Sequence, residues 1–142
     1  MYVQSRLECA IKKPNESTKS SETTAPSDDV ARALALRIAE LISDSPASNT
    51  VVLDVRGLSS FADYFVVCSG ENERQLQAVV NHISEGLAED GIKSKRIEGS
   101  AVAGWILLDF GDVIVHIFDV EQRAYYRLES LWSDAPTLLS IQ

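Results

Sequence analysis

Asp109 and Asp112 are the carboxylates whose spacing could do chemistry, as a magnesium-holding pair or as an acid and base for nucleotidyl transfer. A two-metal site sets its acids at i and i+2 on one strand, so that both point to one face. Here they stand at i and i+3 and straddle Gly111, where a turn acid that accepts from nearby backbone N–H groups is the commoner arrangement. His116 sits in a strand whose neighbours Val113, Val115 and Ile117 are apolar, so it shares a face with Asp112, Ile114 and Phe118. A zinc site would need more ligands, and the only other histidine, His82, lies on a helix flank. Ser69–Gly70 precedes a helix and could hold a phosphate at its positive end, but one glycine with no neighbouring lysine is a weak signal. No GxGxxG, GxxxxGK[ST] or GxSxG occurs, and no nucleophile is paired with a base. No metal and no cofactor is expected.

The aromatics point elsewhere. Tyr125 and Tyr126 are successive on a helix, about 100° apart, so they cannot both enter a core. Trp105 opens a strand, where a large ring on the outer face is costly unless something covers it. Around them stand Asp109, Asp112, Asp119, Glu121, Glu129 and Asp134 against only Arg123 and Arg127. Aromatics anchor interfaces and charges fix their register, so this region reads as a surface for a basic partner.

Net charge of −8 makes direct nucleic-acid binding a poor expectation, because phosphate contacts need clustered Lys and Arg. No apolar run approaches the roughly 20 residues that span a bilayer, and the N-terminal stretch has neither the apolar core of a signal peptide nor the acid-poor make-up of a transit peptide. Cys9 and Cys68 read as reduced thiols, and the cytoplasm is the expected compartment. Residues 1–27, rich in Lys, Ser, Thr, Glu and Pro, read as a disordered tail. Residues 28–135 form the domain, and 136–142 a short C-terminal tail whose Leu138, Leu139 and Ile141 cannot be placed.

The elements that must position these groups follow from periodicity. Ser27 with Asp28 and Asp29 reads as a helix start, and Val30, Leu34, Ile38, Leu41 and Ile42 recur at helical spacing. Thr50–Val55 reads as a strand, and Asp63–Ser69, apolar on both faces, as a central one. Asn72 and Gln75 form a capping box for a helix whose stripe is Leu76, Val79, Val80, Ile83 and Leu87, closed at Gly91. Lys93–Ile97 is a weak, polar strand and hence a sheet edge. Trp105–Phe110 and Asp112–Asp119 make an antiparallel hairpin, and Asp119 with Gln122 caps a last helix over Val120–Leu131, with Ala124, Leu128, Leu131 and Trp132 inward. The order αββαβββα implies an α/β (α+β) fold, a mixed sheet of about five strands flanked by three helices.

DYFVVCSG at Asp63–Gly70, Gln75, Glu98–Gly99, WILLDFGDVIVHIF at Trp105–Phe118, Arg123 and YYRLESLWSDA at Tyr125–Ala135 together resemble the ribosomal silencing factor, or Iojap, family. The resemblance runs from about Val30 to Ala135 and rests on several linked blocks in order. It implies a fold like that of nucleotidyltransferases without their catalytic motif. It also implies a role: binding the large ribosomal subunit through the ribosomal protein numbered fourteen, blocking subunit joining and lowering translation when nutrients are scarce. On that basis Trp105, Asp109, Asp112, His116, Tyr126, Glu129 and Trp132 are the expected partner contacts, and a homodimer is an option. A protein that silences by occupancy needs no catalysis. The alternative is a magnesium-dependent nucleotidyltransferase-like enzyme using Asp109 and Asp112.

Overall fold

A computed structural model describes residues 26–141. Nearly all of the expected tail 1–27, with Cys9, lies outside the described residues. The first helix, α1 (Pro26–Ser43), starts one residue before Ser27, the residue expected at its N-terminal boundary. Proline at a first helical position costs no hydrogen bond and arrives with φ already set. The buried stripe of α1 is also shifted from expectation. Val30 is exposed, and Ala31, Ala35, Ile38, Ala39, Leu41 and Ile42 face the sheet. Three alanines in that stripe let the helix backbone approach the strands closely.

The sheet has six strands, one more than expected: β1 (Ser48–Asp54), β2 (Tyr64–Gly70), β3 (Arg96–Ser100), β4 (Trp105–Asp109), β5 (Val113–Asp119) and β6 (Thr137–Ile141). Their spatial order is β3-β4-β5-β2-β1-β6. Only β2 and β5 run parallel; the other neighbours are antiparallel. β2 is buried along its whole length, as its two-sided apolar sequence requires. β3 is the polar edge, although it starts three residues later than the expected Lys93. The sixth strand is the supposed C-terminal tail. Leu138 and Leu139 pack against the core while the backbone pairs with Thr50–Leu53 of β1.

α2 (Glu73–Glu89) crosses from β2 towards β3 and follows its sequence signals closely. Asn72 Oδ1 accepts from the Gln75 amide at 2.9 Å, and Gln75 Oε1 accepts from Glu71 N at 2.8 Å. All five residues of its expected stripe are buried, each contributing about 2 kcal/mol. The helix stops where Gly91 takes φ +79 and lets the Ile92 amide reach back to the Leu87 carbonyl at 2.8 Å.

These two helices cover one face of the sheet. The other face is covered by irregular chain around Leu58–Ala62 and by the C-terminal segment after β5. That segment is not the single helix expected. α3 (Val120–Tyr126) ends at Arg127, which takes φ 51, ψ 51, and α4 (Leu128–Leu131) restarts in a new direction. The break turns Leu128 and Trp132 inward and leaves Ala124, expected inside, exposed. Among the described residues no helix is long and apolar enough to cross a membrane.

Candidate functional site: the aromatic face beside the β4–β5 hairpin

Strand alternation sends Ile114, His116 and Phe118 of β5, and Trp105, Leu107 and Asp109 of β4, to the face away from α1 and α2. There the rings stack. The Trp105, His116 and Phe118 planes are nearly parallel, with centroids 6.0–6.3 Å apart. Trp132, carried by the end of α4, meets Phe65 edge-on at 5.3 Å, and Phe65 meets His116 edge-on at 5.2 Å. Tyr126 leans on Trp105 and Phe118 at 6.2 and 6.0 Å. Tyr125 stands on the outside, 75 % exposed, with its ring edge-on to Tyr126 at 4.8 Å.

Burial divides the expected set of partner contacts. Trp105 (4 % exposed), His116 (0 %) and Trp132 (2 %) build the second core, because α3 and α4 fold over the face on which they lie. Asp109 is also buried, and its Oδ1 accepts from the Gly111 amide at 2.8 Å, the local turn role open to an acid at that position. Asp112 is exposed, and Tyr126 and Glu129 are half-buried. The aromatic that does reach solvent is Tyr125, which the expected set leaves out. Two adjacent tyrosines on a helix told that one must face outward, but not which.

Asp119 ends β5 and caps α3, its Oδ1 accepting from Gln122 N at 2.7 Å. Arg123 then reaches back over the ends of β1 and β2. Its Nη1 donates to Ser69 Oγ at 2.9 Å and to the Asn49 carbonyl, while Nε and Nη2 both donate to Glu129 Oε2. Glu129, expected as a partner contact, is therefore half of a strut between α3, α4 and the sheet. A helical pair six residues apart cannot meet on one straight helix, so this strut exists only because the chain breaks at Arg127. The strut occupies the Ser69 side of the β2–α2 turn that could have held a phosphate.

Among the described residues no group of three or more His, Cys, Asp or Glu could hold a metal ion. Cys68 is buried, and burial pushes its thiol up to about 12, so it is protonated at neutral pH. On the opposite side of the molecule a shallow groove of about 460 Å³ runs between α1 and β6, lined by Leu36, Arg37, Leu139 and Ile141 among others. It brings no further titratable pair to the aromatic face.

A family model described as "Ribosomal silencing factor during starvation" matches residues 28–142. The chain is 45 % identical over 97 residues to "Ribosomal silencing factor RsfS" of Halalkalibacterium halodurans, covering 68 % of this chain and 83 % of that one. It is 30 % identical over 99 residues to the mouse protein "Mitochondrial assembly of ribosomal large subunit protein 1", covering 68 % and 43 %. A crystal structure of a Chromobacterium violaceum protein superposes with a TM-score of 0.69 at 30 % identity, over 72 % of this chain and 86 % of that one. With a mixed six-stranded sheet, its two covered faces and a family match spanning nearly every described residue, the chain belongs to the ribosomal silencing factor family.

Proposed function

We propose that this protein binds the large ribosomal subunit through the ribosomal protein numbered fourteen and sterically blocks joining of the small subunit, repressing translation under nutrient limitation. One observation carries this reading: the exposed tyrosine and acids of α3 and the hairpin stand on a scaffold shared with proteins named ribosomal silencing factors. Occupancy suffices for such a role. An interface of about 1,200–2,000 Å² holds a partner without chemistry, and neither catalysis nor a cofactor enters. The contact surface comprises Tyr125, Asp112, Glu121 and the rim of Tyr126, with the buried rings behind them as support. The role places the protein in the cytoplasm and works with a monomer or a homodimer.

The test is co-sedimentation with isolated large subunits, followed by light scattering as small subunits are added. The protein should pellet with large subunits and lower the joining amplitude in proportion to occupancy. Pelleting with small subunits alone, or undiminished joining at saturation, would overturn the reading. Association should also slow as salt shortens the screening length to about 8 Å, since acids meet a basic partner.

A further inference from the structure

Two polar atoms on the neighbouring strands β3 and β4 stay unsatisfied among the described residues. Glu98, on the edge strand β3, has a side chain only 2 % exposed, and its Oε1 finds no hydrogen-bond partner among the described residues. Trp105 Nε1, on the neighbouring β4, is likewise buried and finds none there. In the β3–β4 ladder Glu98 lies opposite Leu107, so Trp105, two residues before Leu107, is its diagonal neighbour on one face, with Cα atoms about 7–8 Å apart. One atom is an acceptor carrying charge and the other a donor. A buried carboxylate oxygen left without a donor is among the costlier features a fold can carry.

Arg96, two residues away on the same face, donates from Nη1 to Glu98 Oε2 at 3.3 Å, and its side chain is 51 % exposed. A long, half-solvated pair of that sort holds weakly. Arg96 also stands directly opposite Asp109 in the ladder, so it has a second acid to turn to. The backbone beneath is held tightly. Gly99 has φ +85, and a Cβ there would come within 2.1 Å of the Trp105 carbonyl oxygen, which keeps Glu98 and Trp105 in close register.

We infer that Glu98 and Trp105 form a socket for a cationic side chain of the ribosomal partner, with Arg96 as the intramolecular stand-in that the partner displaces. Glu98 Oε1 accepts from the incoming guanidinium or ammonium group, and Trp105 Nε1 donates to a carbonyl oxygen beside it. The inference rests on the proposed function and names the partner chemistry at one point of that surface. It also gives Trp105 a part in recognition through its N–H while its ring stays in the core.

The experiment measures binding of the full chain to isolated large subunits alongside thermal melting. Glu98→Gln keeps the shape of the side chain and removes its charge. It should weaken binding at least tenfold, flatten its salt dependence and leave the melting temperature unchanged or raised. Trp105→Phe should weaken binding by a few-fold, and Arg96→Ala should leave it equal or tighter, because a competitor is gone. Unaltered binding by Glu98→Gln, with a lowered melting temperature, would make Glu98 a core acid and overturn the inference. Loss of binding by Arg96→Ala equal to that of Glu98→Gln would overturn it too, since Arg96 would then be a contact in its own right. If the unmodified protein fails to bind large subunits at all, it is the proposed function that falls.

Discussion

Trp132→Ala separates a core residue from a partner contact. The indole is 2 % exposed and meets Phe65 edge-on at 5.3 Å. A buried tryptophan removes about 200 Å² from water, which at about 25 cal/mol per Å² sets an upper bound near 5 kcal/mol. α4 is only four residues long and can settle into part of the cavity, so the expected loss is about 3–4 kcal/mol. For a domain of this size that lowers the melting temperature by roughly 12–16 °C. The damage should also spread along the chain. The Trp132 carbonyl accepts from Ala135 N at 2.9 Å, and the next residue, Pro136, accepts from the Asp54 amide at 2.9 Å. Freeing this corner loosens β6 from β1, so the Asp54 and Val52 amides should exchange with solvent faster in the variant. Urea unfolding gives the energy and amide exchange the location. A loss below about 1.5 kcal/mol, with Asp54 protection intact, would refute the placement of Trp132 in the second core.

Three further outcomes are expected. Arg123→Ala removes the strut to Glu129, Ser69 and Asn49, whose ion-pair side chains are 13 % and 33 % exposed; a loss of about 1–3 kcal/mol should follow, between the surface and buried limits, and one under 0.5 would show the strut to be idle. Cys68 is raised by burial from 9.0 to about 12, so the folded state keeps its proton where the unfolded state loses it; stability is full below pH 9 and falls by up to about 1.4 kcal/mol per pH unit as pH climbs towards 12. Cys68→Ala should flatten that alkaline slope in urea titrations, and an identical slope would contradict the burial argument. Tyr125→Ala, at a ring 75 % exposed, should leave melting unaltered and weaken large-subunit binding by about tenfold or more, whereas full-strength binding would remove Tyr125 from the interface.

The elements with strong local signals were readable in advance. α2 carries its own cap, stripe and stop, and β2 is apolar on both sides because it lies in the middle of the sheet. What could not be read were the non-local choices. TLLSI at Thr137–Ile141 becomes a strand only because β1 offers it an unpaired edge, and nothing within those five residues says so. Arg127 adopts a left-handed backbone without being Gly or Asn, so the break between α3 and α4 had no punctuation in the sequence. That break decided the site. With one straight helix, Trp105 and Trp132 could have been outer rings; with two short ones, the chain folds across them. Glu98 drew attention only as part of a resemblance, since burial of an acid on an edge strand cannot be read from its polar neighbours.

The two borders of the sheet are guarded by different means. β3 is short, polar and interrupted by Gly99, so another chain gains little by pairing with it. β1 lacks that polarity: Thr50, Val51, Val52 and Leu53 form a largely apolar, mostly β-branched run of the kind that templates intermolecular ladders. β6 sits on that run like a cover strip, turning outward a strand whose residues are mostly exposed or half-exposed. A shortened chain that ends before Thr137 would therefore keep most of both cores and still bare its stickiest backbone. Its first failure should be self-association in concentrated solution, ahead of any loss of helix signal.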